Sequence, residues 1–344
     1  MRDRRCKEHM VFRVFSRLPV PLSLLGRLTG TDVIIPYYHI VSNETVIHVK
    51  HLYKYKNIRE FEDDLDCLLT HYSPTSLIDV LHHMKTGRPL SKRVFLLTFD
   101  DGYREMSDFV APILLKKGVS ATFFLNTAFI DNRQLCYLNK ASLIVERFEK
   151  TWSSGLEKTL RGLLRSHNVL SSNITSGVLS VGYQQGELLE EIAYAMNIDF
   201  VDYLSANEPY LTSAQINKLI ASGFSIGAHS IDHPVYCSLG LKDQLHQTVE
   251  SVKSVREMFH LSYGVFAFPF SDYGISREFF ARLSDSGLVD LSFGTAGLIG
   301  DSVPNHLPRF SLENPIDTAG RIVTYQHARK LGRLITRDPI VVRK

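Results

Sequence analysis

The chain has 344 residues, of which 44% are hydrophobic and 22% charged, and its formal net charge is +3. This is the composition of a soluble globular protein with ample chain for a large core, arranged as one big α/β domain or two modest ones. So small a charge, with no basic stripe carrying interleaved aromatics, argues against nucleic acid as the main ligand.

Residues 1–30 read as a basic arm. Arg2, Arg4, Arg5, Lys7, Arg13 and Arg17 outnumber Asp3 and Glu8, with Val11, Phe12, Val14, Phe15 and Leu18 among them. The apolar run that follows is cut by Pro19 and Pro21 and is too short to span a bilayer. It also lacks the uninterrupted stretch of a signal peptide. The arm is expected either to pack on the domain or to lie against an anionic membrane surface. Residues 31–344 are expected to form a single domain.

Val33 to His39 reads as a first strand with a polar tip. Ile58 to Tyr72 has helical spacing, with Phe61, Leu65, Leu68 and Leu69 on one face. Leu77 to Lys85 is a second helix, closed by Gly87 and Pro89. Val94 to Phe99 has the apolar character of a buried parallel strand. Glu105 to Lys117 is a helix stopped by Gly118, and Ala121 to Leu125 is the next strand. This alternation predicts a parallel sheet with helical crossovers. Between about residues 131 and 205 the chain turns helical and charged, and the segment reads as a lid-like insertion into the domain. The alternation then resumes: a helix over 212–222 with a capping-box start, a strand over 224–228, a long helix over 241–259, a strand over 265–270, a helix over 277–286 and a strand over 288–293. Cys6, Cys67, Cys136 and Cys237 are far apart and form no CxxC pair. They are expected to be buried thiols in a reducing compartment.

Two strand ends carry chemistry. The first, Thr98-Phe99-Asp100-Asp101-Gly102-Tyr103, ends an apolar strand in adjacent carboxylates. Burying these is costly unless a metal, a proton or a hydrogen-bond donor meets them. The second, His229-Ser230-Ile231-Asp232-His233-Pro234, follows another strand and puts two imidazoles four residues apart. On a helical turn both rings would point the same way, and Pro234 ends the turn at His233. Alone, HxxxH is a weak signal. In parallel α/β folds, however, the C-terminal strand ends share one face, so both segments converge on one site. Two histidines and a carboxylate suit zinc and its neighbours, and the second carboxylate is free to handle a proton.

With these residues in view, the chain resembles the polysaccharide deacetylase family, the NodB-homology domain of carbohydrate esterase family 4. The two segments match its first and second motifs, and Tyr38-His39-Ile40-Val41 is similar to the first strand end of many members. The resemblance covers roughly residues 33–310, with the insertion as the poorest match. It implies a distorted (β/α) barrel, usually of seven strands. It also implies one divalent ion on Asp101, His229 and His233: zinc first, then cobalt, nickel or manganese. Asp100 would be the general base, and a backbone N–H, placed by position at Phe270, would hold the oxyanion. The implied reaction removes N-acetyl groups from an amino-sugar polysaccharide, oligosaccharide or glycolipid.

Several positions depart from the family pattern. Ala267 stands where many members carry an arginine that orients the base, and the aspartate–tryptophan motif that holds this arginine is missing. The last motif region reads Asn305-His306-Leu307-Pro308-Arg309. His306 and His39 are therefore equal candidates for the general acid. Arg309 is expected to anchor a carboxylate, and with Tyr103, Pro269 and Phe270 to line the substrate. Two other functions stay open: hydrolysis of a small non-carbohydrate amide, and carbohydrate binding by a relict site. The expected location is cytoplasmic or membrane-peripheral, with an envelope-associated role as the alternative.

Overall fold

The computed structural model describes residues 21–91 and 93–344. The arm reading for residues 1–20 lies outside this range. What is described of it is the helix Leu22–Thr29, which buries Leu22 and Leu25 and exposes Leu24 and Leu28.

The architecture is a parallel barrel. Its strands are β1 (Pro36–Tyr38), β2 (Leu97–Phe99), β3 (Ala121–Leu125), β4 (Ser225–Ala228), β5 (Val265–Ala267), β6 (Leu291–Gly294), β7 (His306–Pro308) and β8 (Phe310–Ser311). Their order in the sheet is β7-β6-β5-β4-β3-β2-β1-β8, and every pairing is parallel. The two outer strands, β7 and β8, are halves of one run of chain with only Arg309 between them. One half pairs with β6 and the other with β1, so this run closes the barrel. Eight hydrogen-bonded strands thus make seven staves, the number the family resemblance implies.

Local sequence explains the elements. β3 is buried at all five positions, as a strand covered on both faces must be. Capping boxes open the helices Ile58–His71 (Asn57 with Glu60), Leu77–Thr86 (Ser76 with Asp79) and Ser213–Ala221 (Thr212 with Gln215). Gly87 and Gly118 end helices with φ of 71° and 66°. The helix read over 105–117 is α-helical only over Ala111–Lys117. Before it, Met106–Val110 is wound as a π-helix, and the Ala111 N–H reaches back to Met106. Pro112 has no N–H for residue 108, which loosens this turn. The strand read over 94–99 breaks at Leu96 into Val94–Phe95 and β2.

The insertion comprises the helices Tyr137–Thr151, Ser154–Ser166, Ile174–Leu179, Gly186–Ala195 and Phe200–Asn207. It has a core of its own around Ile144, Val145, Leu160, Leu188 and Ile192, and this core runs on into the barrel residues Tyr103, Phe129 and Tyr210. Tyr183 donates a hydrogen bond to Asp232 at 2.8 Å, tying the insertion to the loop between the two motif histidines. Trp152 lies on its surface, 60% exposed. Of the described cysteines, Cys136 is buried, Cys67 half-buried and Cys237 exposed, so among them the expectation of buried thiols holds for Cys136 alone; Cys6 lies outside the described residues. No described helix is long and apolar enough to cross a membrane.

His327 joins the terminal helices. Its Nδ1 lies 2.9 Å from Thr29 Oγ1 and its Nε2 lies 3.1 Å from the Tyr72 hydroxyl. A neutral ring fits both contacts, with Nδ1–H donating to Thr29 while Tyr72 donates to Nε2. Burial, reinforced by Lys330, pushes its pKa down from 6.5 to about 4. A folded-state value below the unfolded one means stability is present above pH 6.5 and lost as pH falls toward 4. His327→Gln should therefore flatten the fall in thermal midpoint across this window. Equal slopes for variant and wild type would show that His327 is not a group whose protonation opposes folding.

Candidate active site

The C-terminal strand ends gather the chemistry at one mouth, as parallel barrels do. Four non-glycine residues there have left-handed backbone: Asp101 (φ 71°), Ser230 (φ 74°), His233 (φ 66°) and Phe270 (φ 54°). Such conformations persist only where surrounding structure over-determines them. They also correct the expectation of a helical turn at 229–233. The segment is an irregular loop, and the rings converge through two left-handed residues. Its backbone is held from the next strand end: Thr127 N–H donates to Ser230 O at 3.2 Å, and Ala128 N–H donates to Ile231 O at 2.9 Å. After Asp101, Gly102 has φ of 70°, and a Cβ there would sit 2.9 Å from Leu125 Cδ2.

Asp101, His229 and His233 form a cluster. His229 Nε2 and His233 Nε2 lie 3.5 and 3.2 Å from the same Asp101 oxygen. Three donors at tetrahedral angles, each about 2.1 Å from one ion, would be separated by roughly 3.4 Å. Asp101 Oδ1 and His229 Nε2 are buried without a hydrogen-bond partner. His229 Nδ1–H is taken by Ala267 O at 2.8 Å, which fixes the tautomer and leaves Nε2 as the free lone pair. Burial pushes His229 down to about 4, so the ring is neutral, as a ligand must be. Although burial opposes its ionisation, Asp101 is held well below the usual carboxylate range by His233 and the other histidines. These residues fit a divalent cation. Among the described residues two further clusters have ligand chemistry, but each already holds a cation. Lys50 and Lys150 reach Glu146 beside His51, and Arg343 reaches both Asp272 and Asp301 beside His306.

Asp100 has a different environment. Arg309 grips it from inside the barrel, Nη1 to Oδ1 at 2.7 Å and Nη2 to Oδ2 at 2.8 Å. The guanidinium is fully buried, 4.8 Å from the Tyr37 ring and 5.2 Å from the Phe124 ring, and it also donates to Thr98 Oγ1. Burial alone would raise the Asp100 pKa; Arg309, His229 and His39 together hold it below the ordinary value. Arg309 thus anchors a carboxylate, as expected, but it is too enclosed to line the substrate. It supplies from the closing strand the arginine that Ala267 cannot supply.

The two candidate acid histidines occupy different places. His39 lies at the mouth with its side chain 25% exposed. Glu313 takes the His39 Nδ1–H at 2.6 Å, and its other oxygen accepts the backbone N–H groups of His39 and Ile40. Burial works against the charge on this ring, but Glu313, with Asp101 and Asp100 behind it, raises the pKa to about 10. His306 instead sits between Ser292 Oγ at 2.8 Å and Asp272 Oδ2 at 3.1 Å, packed on Phe268 and Phe280. It does not reach the mouth. Side chains an odd number of residues apart point to opposite faces of a strand. With Arg309 inside the barrel, His306 is outside it.

A cavity of about 400 Å³ opens over the cluster, lined by His39, Asp100, Asp101, His233, Tyr103 and Phe270 among others. Pro269 is buried and does not line it. Glu313 and Tyr53 carry no sequence signal, because each is brought to the mouth only by barrel closure or by loop packing.

The polysaccharide deacetylase family model matches residues 87–288, more than half of the chain. The chain belongs to the polysaccharide deacetylase family. It is accordingly a hydrolase of carbon–nitrogen bonds other than peptide bonds. Its fold is similar to that of three solved structures. Streptococcus pyogenes deacetylase PplD in complex with acetate is 14% identical, with 86% of this chain and 97% of that one covered at a TM-score of 0.55. IcaB from Ammonifex degensii is 15% identical, with coverage of 86% and 97% and a TM-score of 0.53. A de-N-acetylase from Aggregatibacter actinomycetemcomitans is 12% identical, with coverage of 85% and 99% and a TM-score of 0.53. None of the curated protein sequences matches this chain. His39, Arg309 and Glu313 all lie outside the residues that the family model matches.

Removing one partner of a buried ion pair leaves an uncompensated charge, typically at a cost of about 3–5 kcal/mol. Arg309→Met should lose stability of this order in urea unfolding. Adding Asp100→Asn to Arg309→Met should recover part of it. A double variant no more stable than Arg309→Met would argue that the arginine acts through packing alone.

Proposed function

We propose that this protein is a metal-dependent deacetylase of an N-acetylated amino-sugar glycan or glycolipid. The observation that carries this reading is one cavity over a cluster of three convergent donors, lined also by a carboxylate fixed by arginine and a histidine fixed by glutamate. Asp101, His229 and His233 would hold one divalent ion, and their nitrogen and oxygen donors suit zinc, with cobalt, nickel or manganese as alternatives. The ion would supply Lewis-acid polarisation and make a water acidic near neutral pH.

The chain's own residues divide the proton work. Asp100 Oδ accepts the proton of the attacking water. Its ionised state is kept ready by Arg309, which also fixes the carboxylate plane. The Phe270 backbone N–H, on a loop bent by positive φ, is assigned to the developing oxyanion. His39 is assigned as the general acid: its Nδ1–H is engaged by Glu313, which leaves Nε2–H to protonate the departing nitrogen. A raised pKa keeps this ring charged at neutral pH. His306, outside the barrel, is given no part in the chemistry.

Two measurements test these roles. Elemental analysis of purified protein should find one divalent ion per chain, lost in His229→Ala and His233→Ala but kept in Asp100→Asn; equal content in all four would remove the metal assignment. In acetate-release assays Asp100→Asn should lose roughly 10²-fold or more in turnover, the usual contribution of a positioned base. His39→Gln should abolish the alkaline limb of the pH–rate profile, and His306→Gln should keep it. The reverse pattern would transfer the acid role to His306.

A further inference from the structure

The cavity is larger than the reaction at its floor requires. An acetyl group would take up a small part of about 400 Å³, a volume in the range of pockets (~300–1,000 Å³) that enclose whole small ligands. Part of the cavity's lining comes from the insertion, through Cys136, Leu138, Asn139 and Leu179.

This side is a wall. Asn139 is fully buried, and Tyr103, Phe129, Cys136 and Tyr210 are exposed by 6% or less. Behind them stands the insertion's own packed core. The wall is also rigid. Asn139 Oδ1 accepts from the Tyr210 hydroxyl at 2.5 Å, its Nδ2 donates to the Tyr103 hydroxyl at 3.0 Å, and the rings of Tyr103, Tyr210 and Phe129 stack in sequence. A polymer held by an interior unit needs a groove open at both ends, and here one end is blocked.

The wall's chemistry suits a sugar better than an alkyl chain. Aromatic rings accept the C–H faces of a pyranose, and the Tyr53 hydroxyl, buried at the edge of the same cavity, faces only the Tyr103 hydroxyl, which Asn139 already engages. A long acyl chain would offer this hydroxyl no further partner. A sugar hydroxyl would satisfy it.

We infer that the insertion converts the site into a blind-ended pocket for one terminal pyranose. The enzyme then deacetylates a chain end or a single glycosyl unit and leaves the interior units of a polymer alone. This inference rests on the deacetylase reading and adds to it the position of the reacting unit.

The test uses the metal-loaded full chain with β-1,4- and β-1,6-linked N-acetylglucosamine oligosaccharides, dimer to hexamer, with products sequenced by tandem mass spectrometry. One acetate should leave each chain, always from the same terminal unit and at a rate nearly independent of length. Loss of acetate from interior units would overturn the inference and leave the deacetylase reading standing. No acetate from either series would count against that reading and remove this inference with it. Leu179→Trp narrows the pocket away from the metal cluster. It should raise KM at least tenfold, with metal content and thermal midpoint unchanged. Tyr53→Phe should raise KM by about fivefold, the worth of one hydrogen bond. An unchanged KM in both variants would show that the terminal sugar does not occupy the insertion side.

Discussion

The buried pair of Arg309 and Asp100 joins the architecture to the chemistry. Arg309 is the single residue between the two half-strands that close the barrel. Its guanidinium therefore enters the barrel where the first and last staves meet, directly below the mouth. A charge in this place is tolerable because it is paired: two hydrogen bonds go to Asp100, one to Thr98, and two aromatic rings flank it, with only Nε–H left unpartnered. Without the carboxylate the barrel would enclose a bare cation, and without the arginine burial would push the carboxylate's pKa up.

The two neighbouring aspartates show how position separates like groups. Asp100 points down into the barrel and meets a guanidinium, whereas Asp101, with left-handed backbone, points across to two imidazoles. One peptide reversal gives one carboxylate a fixed counter-charge and the other two imidazole neighbours. The same logic separates the histidines. His229 is stripped of charge by burial, while His39 keeps its charge because Glu313 reaches it.

The network around Asp272 has a structural part in the same site. Asp272 lies two residues beyond Phe270, accepts the Thr295 N–H at 2.8 Å, and is met by His306 and Arg343. The loop assigned to the oxyanion is thereby fastened to a residue next to the last of the chain. A Cβ at Gly294 would lie within 2.7 Å of both His306 and Asp272, so only glycine leaves room for this pair.

Much was legible in the sequence because it is carried by short segments. The alternation of buried strands and capped helices, the adjacent carboxylates, the histidine pair and the helical insertion are all local patterns, and a parallel sheet puts its C-terminal ends on one face whatever its details. The irregular loop at 229–233 is not legible in this way, because left-handed φ at Ser230 and His233 goes with hydrogen bonds from the neighbouring strand end and not with the residue types themselves. What only the tertiary structure decided depends on closure. Arg309 and Glu313 are more than 200 residues from the groups they orient, and no local signal says which face of a three-residue strand looks inward. Barrel closure sets that face, and with it puts Arg309 on Asp100, Glu313 on His39, and His306 outside the site.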